Sequence, residues 1–139
     1  MPEKEVINAL DDDNQKKSKT ECLIVEDNLI NQTIISRLLK KLGIDSDIAK
    51  DGIEAIEAVK KKLYDIIFMD IQMPRMDGIQ ATKCILNDCE LEKKPVIVAV
   101  TANVSEKNAE NCRDSGMKEF ITKPVSLKIL QDAIHRWVG

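Results

Sequence analysis

Hydrophobic and polar positions repeat along this chain with two different periods. Five short apolar runs, at 21–26, 44–49, 65–70, 96–101 and 119–122, predict β-strands. The first, third and fourth runs are nearly continuous in aliphatic residues, which is typical of parallel strands that are buried on both faces. Longer segments of helical period separate the runs.

These intervening segments predict amphipathic helices that bury one apolar stripe each. The predicted stripes are Ile30, Ile34, Leu38 and Leu42; Ile53, Ile56, Val59 and Leu63; and Leu127, Leu130, Ile134 and Trp137. Asp51 and Glu54 have the spacing of a capping box, and Ser126 is a suitable N-cap. The helix predicted at 105–115 has few apolar residues, so we expect it to be the least firmly anchored. Five βα units with short connections predict a doubly wound, three-layer α/β domain.

Composition narrows the classes of protein that fit this pattern. Residues 1–19 are mostly charged and polar, so we predict a flexible leader or interdomain linker there and one domain over 20–139. The net charge of −3 argues against a nucleic-acid surface. No apolar run resembles a membrane span or a signal peptide, and the four cysteines lack metal-ligand spacing. We therefore expect a cytoplasmic protein with reduced thiols and no direct membrane contact.

Polar side chains close four of the five predicted strands. Glu26 and Asp27 follow the first strand, Asp70 ends the third, Thr101 ends the fourth, and Lys123 follows the fifth. In a doubly wound fold these positions converge at the carboxyl edge of the sheet, where ligands bind. Neighbouring carboxylates repel each other unless a cation joins them, and few, water-accessible oxygen ligands suit Mg²⁺. A carboxylate beside Mg²⁺ can serve as a nucleophile toward a phosphoryl group.

Four segments of the sequence resemble the motifs of response-regulator receiver domains. They are Glu26-Asp27-Asn28, the segment from Met69 to Gly78, Val100-Thr101-Ala102-Asn103, and the segment from Phe120 to Pro124. The resemblance covers about 20–138 and is greatest to the receivers of hybrid histidine kinases. It implies a flavodoxin-like (βα)5 fold, with a parallel sheet of order 2-1-3-4-5 and helices on both faces.

The resemblance also implies a role for each matching residue. Asp70 is expected to accept the phosphoryl group, with Lys123 and Thr101 contacting its oxygens. Mg²⁺ is expected to be held by Asp27, Asp70 and the backbone carbonyl of Gln72, with Glu26 acting mainly through a bound water. Thr101 and Phe120 are the expected switch residues, and Gln72 and Asn103 are expected to tune dephosphorylation. The Lys123–Pro124 bond is expected to be cis.

The expected protein is a signalling receiver and not an enzyme in the usual sense. The resemblance implies phosphotransfer from phosphohistidine on a histidine kinase or a histidine phosphotransfer protein, followed by a change in the face made by the fourth helix, fifth strand and fifth helix. Such a domain can be part of a hybrid kinase, including a membrane-bound one, a stand-alone phosphate shuttle or a single-domain regulator. We expect a monomer or a weak phosphorylation-dependent dimer.

Three rival functions fit the residues less well. A Mg²⁺-dependent phosphatase with an aspartate nucleophile typically carries a second Asp two residues later, where this chain has Gln72. A nucleotide-binding domain needs a glycine-rich loop after the first strand, and this chain has Glu26-Asp27-Asn28 there. A phosphorylation-independent module usually lacks part of the acceptor set. His135, the only histidine, lies in the last predicted helix and is not expected to be a phosphodonor.

Overall fold

A computed structural model describes residues 20–73, 75–88, 90–102 and 105–138. The predicted leader at 1–19 lies outside the described residues. Strands and helices alternate in the order β1 (Cys22–Val25), α1 (Leu29–Lys41), β2 (Ser46–Ala49), α2 (Gly52–Lys61), β3 (Ile66–Asp70), α3 (Gly78–Leu86), β4 (Val96–Thr101), α4 (Glu106–Ser115), β5 (Glu119–Thr122) and α5 (Leu127–Trp137). The predicted α/β alternation is confirmed, with β1, β2 and β3 one or two residues shorter than predicted.

The strands form one parallel sheet of order β2-β1-β3-β4-β5, as the resemblance implied. Alternate strand residues enter two separate hydrophobic clusters because successive side chains point to opposite faces of a strand. Ile67 and Met69 of β3 join the first cluster, which α2, α3 and α4 cover. Ile66 and Phe68 join the second cluster, which α1 and α5 cover. Both faces of the sheet are therefore buried, which explains the continuous apolar runs.

The apolar stripe predicted for α1 is wrong in its first half. The side chains that α1 buries are Gln32, Ile35 and Leu39, whereas Ile30 is 70% exposed. Residues spaced by four advance about 40° per step around a helix, so a stripe of that spacing drifts away from the core. Gln32 is buried instead because its side-chain amide donates to the Glu26 carbonyl at 2.7 Å.

Two other predicted stripe residues are exposed because they lie at or beyond an end of their helices. Leu63 lies beyond the last residue of α2, and Leu127 is the first residue of α5. Trp137 packs against the second cluster, as predicted, and its indole N–H donates to Glu119 at 2.6 Å. Across the described part of the chain, no helix is both long and apolar enough to span a bilayer.

Candidate functional site

The carboxyl ends of the parallel strands bring the predicted polar side chains together at one edge of the sheet. Asp70 and Thr101 are the last residues of β3 and β4, and both side chains are buried. Glu26 directly follows β1 and is also buried. Its amide donates to the Ala49 carbonyl at 3.0 Å and so extends the hydrogen bonding between β1 and β2 by one residue. Lys123 directly follows β5, and its amide donates to the Thr101 carbonyl at 2.8 Å. Hydrogen bonding of the backbone within the sheet thus fixes the positions from which these side chains extend.

Three carboxylates form a cluster at this carboxyl edge. One oxygen each from Glu26, Asp27 and Asp70 lies within 4.8 Å of the other two. Glu26 and Asp70 are buried, whereas Asp27 is exposed and opens the cluster to solvent. The ammonium of Lys123 lies 2.9 Å from Glu26 Oε1 and 3.5 Å from Asp70 Oδ2. One cation therefore faces three anions.

This imbalance raises the pKa of two groups. Burial and the neighbouring Glu26 carboxylate raise the pKa of Asp70 to about 6, although the Gln72 amide and Lys123 oppose the shift. Burial alone would lower the pKa of Lys123, but the carboxylates of Glu26 and Asp70 outweigh it and raise that pKa. The attraction between Lys123 and the Asp70 carboxylate is thus too weak to offset the effects of burial and of the Glu26 carboxylate, which both disfavour ionisation of Asp70.

The buried carboxylate oxygens are only partly satisfied by hydrogen bonds. Asp70 Oδ1 accepts from the Gln72 amide at 3.1 Å, and Glu26 Oε2 accepts from the Asn28 amide at 3.2 Å. Glu26 Oε1 is buried, and the Lys123 ammonium lies 2.9 Å from it. Three clustered carboxylates that share one ammonium fit a small, hard cation with oxygen ligands.

The remaining predicted site residues lie around this cluster. Gln72 is exposed in the loop after β3. Phe120 is half-buried on β5, is paired in register with Ala99, and packs against the first hydrophobic cluster. The Lys123–Pro124 bond is cis, as expected. His135 is exposed on α5. Asn103 lies outside the described residues, so the tuning role expected of it stays a prediction.

Two features of this edge were not predicted from the sequence. Leu29, Ile30 and Ile34 form an exposed apolar surface, the α1 patch, directly after the acidic residues. Nearby, Ile34 lines a small groove of about 60 Å³ together with Lys123 and Pro124. The sequence gives one signal for the patch: the α1 segment contains more apolar residues than one buried stripe can accommodate.

The second unpredicted feature is an ion pair that joins the loop after β3 to the start of α2. Arg75 donates to the buried Asp51 carboxylate through Nε at 2.8 Å and also through Nη2. No spacing rule connects these two residues, since they lie 24 positions apart and belong to different loops.

Comparison with known proteins accounts for this arrangement. The family model described as "Response regulator receiver domain" matches residues 22–135. The chain belongs to the response regulator receiver domain family. As a receiver domain it is 46% identical to a segment of hybrid signal transduction histidine kinase B of Dictyostelium discoideum, over 74% of this chain and 6% of that protein.

Solved receiver structures share the fold closely. The receiver domain of the sensor histidine kinase PA1611 of Pseudomonas aeruginosa matches with a TM-score of 0.80 and 38% identity, over 88% of this chain and 99% of that one. The co-crystal structure of the Saccharomyces cerevisiae histidine phosphotransfer protein Ypd1 with the receiver domain of Ssk1 matches with a TM-score of 0.78 and 37% identity, over 86% and 88% of the respective chains. This receiver domain spans between 5% and 27% of the length of the curated relatives that it matches.

Proposed function

We propose that this receiver domain accepts a phosphoryl group on Asp70 from a phosphohistidine of a phosphorelay partner. The observation that carries the proposal is the cluster of Glu26, Asp27 and Asp70 with Lys123 at the carboxyl edge. Its relatives include hybrid histidine kinases, and the similar Ssk1 receiver is seen in complex with a histidine phosphotransfer protein. A phosphorelay role within a hybrid kinase is the context that these relatives favour over a stand-alone shuttle or single-domain regulator.

Mg²⁺ is the cation that we propose for the cluster. The PA1611 receiver has a magnesium ion coordinated in its active-site cleft. In this chain Asp27, Asp70 and the Gln72 carbonyl would hold the ion, with Glu26 acting through a bound water. When bound, the ion neutralises carboxylate charge and charge on the transferred phosphoryl group. The exposed Asp27 leaves the site open to solvent, as a cation that keeps several waters requires.

The transfer itself exchanges one bond to phosphorus for another. An oxygen of the Asp70 carboxylate attacks phosphorus and forms an acyl phosphate, while the P–N bond to the donor imidazole breaks. The imidazole nitrogen keeps the electron pair of that bond and takes up a proton from water. Lys123, already 3.5 Å from Asp70, is placed to contact the phosphoryl oxygens, and positioning with charge neutralisation supplies most of the catalysis.

Readout of the acyl phosphate is proposed to pass through Thr101 and Phe120. Thr101 ends β4 next to Asp70 on β3, and Phe120 pairs with Ala99 on the other side of β4. Hydrogen bonding of the Thr101 hydroxyl to the phosphoryl group would favour an inward position of Phe120. The surface formed by α4, β5 and α5 would then change shape, because phosphorylation stabilises one of two conformations more than the other.

The finer properties of the domain stay proposals of the same kind. We propose that Gln72 and Asn103 control how water reaches the acyl phosphate, and that the domain catalyses only its own phosphoryl transfer and its own dephosphorylation. We also propose that it acts in the cytoplasm, as a monomer or a weak dimer that phosphorylation promotes.

A small-molecule donor tests the acceptor assignment directly. The protein is incubated with acetyl phosphate, with and without Mg²⁺, and its intact mass is recorded beside that of Asp70→Asn. We expect one added phosphoryl group in the wild type only when Mg²⁺ is present, and none in the variant. Phosphorylation of Asp70→Asn to the same extent as the wild type would overturn the assignment.

The α1 patch supports the proposed protein donor, since it borders the groove that contains Lys123. Ile34 and Ile48 are each 45% exposed, but Ile48 lies on the edge strand β2. Ile34→Ser should slow phosphotransfer from a phosphorylated histidine phosphotransfer protein about tenfold, as loss of an interface anchor does. Acetyl phosphate should react at the wild-type rate in this variant, and Ile48→Ser should leave both rates unchanged. Equal effects of the two substitutions would contradict docking at the patch.

A further inference from the structure

Three contacts fix the loop that follows the phosphoacceptor to α3 and to the start of α2. We refer to residues 71–73 and 75–77 as the acceptor loop. At its base, the Gly78 amide donates to the Ile71 carbonyl at 3.2 Å. Farther along, the Gly52 amide donates to the Met76 carbonyl at 3.3 Å. The third attachment is the ion pair between Arg75 and Asp51.

The ion pair has the features of a specific contact. Asp51 is buried and uses its two oxygens separately: Oδ1 accepts from the Glu54 amide at 2.9 Å as the N-cap of α2, and Oδ2 accepts from two nitrogens of Arg75. Burial alone would raise the pKa of Asp51, but the Glu54 amide and Arg75 lower it. Charge-assisted hydrogen bonds to a planar guanidinium fix direction as well as distance.

Arg75 also holds a backbone conformation that needs support. Its φ of +65° lies in the left-handed region. Among the residues that the structure describes, Arg75 is the only non-glycine residue with a positive φ. Such a conformation costs on the order of 1 kcal/mol or more and persists where surrounding contacts enforce it. The contacts of the Arg75 side chain to Asp51 can do so. The ion pair and the strained turn therefore depend on each other.

The acceptor loop in turn contacts the phosphoacceptor. The Gln72 amide donates to Asp70 Oδ1 at 3.1 Å, three residues before Arg75. A change in the path of the loop moves this donor and with it the orientation of the Asp70 carboxylate. We propose that Arg75 is a positioning residue: its ion pair with Asp51 holds the acceptor loop so that the Gln72 amide keeps Asp70 oriented for cation binding. This inference rests on the proposed function of Asp70.

The chain offers variants that separate the ion pair from the strain. Arg75→Ala removes the ion pair and keeps the cost of positive φ, whereas Arg75→Gly removes both. Asp51→Asn removes the charge but leaves an oxygen to cap α2. Lys93→Ala is the matched control, because Lys93 pairs with Asp65 and its side chain is 56% exposed, against 55% for Arg75.

The measurement is the Mg²⁺ dissociation constant, obtained from an NMR titration that follows the Gln72 amide. We expect Arg75→Ala and Asp51→Asn each to raise the constant about tenfold, as loss of outer-shell support for a metal site does. The double variant should be no weaker than either single variant, since both remove the same contact. Arg75→Gly should lie between the wild type and Arg75→Ala, and Lys93→Ala should match the wild type.

Two outcomes would overturn the inference, and they differ in meaning. If the wild type binds Mg²⁺ and all Arg75 and Asp51 variants stay within about twofold of it, the ion pair does not position Asp70. If the wild type itself does not bind Mg²⁺, the proposed metal site fails and the inference fails with it. Thermal unfolding of each variant without Mg²⁺ verifies that the fold is retained, and Arg75→Gly provides the test if Arg75→Ala does not fold.

Discussion

Charged side chains lie at both the amino edge and the carboxyl edge of the sheet. The two edges differ in how well cations and hydrogen bonds offset the charge of the carboxylates. At the amino edge, just before β3, Asp65 accepts from the Glu21 amide at 2.8 Å and pairs with Lys93. Partial burial opposes ionisation of Asp65, yet Lys93 and the Glu21 amide outweigh it and lower the pKa. At the carboxyl edge Asp70 is buried beside Glu26, and its pKa is raised to about 6.

The same contrast appears elsewhere on the amino edge. Asp47 accepts from the Tyr64 hydroxyl at 2.6 Å and from Lys62 at 3.0 Å, and these two bonds lower its pKa. The folded chain therefore favours the ionised form of Asp47 and Asp65 at the amino edge, whereas it disfavours the ionised form of Asp70 at the carboxyl edge relative to a free aspartate. Strongly perturbed pKa values of this kind cluster at functional sites.

The largest expected effect concerns packing around the phosphoacceptor. A Cβ atom added at Gly78 would lie 2.2 Å from the Asp70 carbonyl oxygen, whereas Gly43, which precedes β2 at the amino edge, has no atom within 4 Å of such a Cβ. Gly78→Ala should lower the free energy of unfolding by more than about 3 kcal/mol, because backbone must move. Gly43→Ala, with φ of +82°, should cost only about 1 kcal/mol of backbone strain. Urea denaturation of both variants tests this difference, and similar losses would contradict it.

A smaller effect is expected when an amino-edge carboxylate loses its charge. Asp65→Asn should lower the free energy of unfolding by about 1 kcal/mol at neutral pH, since the ion pair with Lys93 is lost. The folded pKa of Asp65 is lowered, so this stabilisation is present above the pKa of an unfolded aspartate and disappears as the pH falls through the folded pKa. Urea denaturation at neutral and acid pH measures both values. A loss that does not change with pH would mean that charge is not the cause.

The smallest effect is expected for the hydroxyl of Tyr64. Tyr64→Phe should cost about 0.5 kcal/mol, because it removes one hydrogen bond while the buried ring stays in place and Asp47 keeps its contact with Lys62. The pKa of Asp47 should rise toward that of a free aspartate, since the Tyr64 hydroxyl is the main group that lowers it. NMR titration of the Asp47 carboxylate measures the shift, and an unchanged pKa would show that Lys62 alone balances this carboxylate.

The sequence predicts the sheet and the acidic cluster well for a common physical reason. The predicted strands at 96–101 and 119–122 match β4 and β5 to the residue. The continuous aliphatic run of β4 is typical of a parallel strand in a sheet that is covered on both faces. Because the carboxyl ends of parallel strands lie at one edge of a sheet, Asp70 and Thr101, which end β3 and β4, lie at the same edge. Periodicity and topology suffice for features of this kind.

Other features depend on geometry that periodicity does not contain. Ile30 and Ile34 follow the predicted spacing but are exposed, because their orientation depends on how α1 is rotated against the sheet. The contact between Arg75 and Asp51 depends on a left-handed residue in one loop and an N-cap in another. The capping-box spacing predicts the N-cap role of Asp51, but no motif encodes the left-handed conformation of Arg75 or its contact with Asp51, so this contact appears only in the folded chain.

The central claim is that ionisation of Asp70 is less favourable in the folded chain than in the unfolded chain until a cation joins it. The direct measurement compares the free energies of unfolding of the wild type and Asp70→Asn between about pH 5 and pH 8, with and without Mg²⁺. The folded pKa of Asp70 is raised, so the wild type should lose stability relative to the variant as the pH rises toward and through about 6. Without Mg²⁺ the variant should be more stable by about 1–3 kcal/mol at the upper end of that range, and Mg²⁺ should stabilise only the wild type. A wild type that is more stable than Asp70→Asn without Mg²⁺ at every pH would contradict the account.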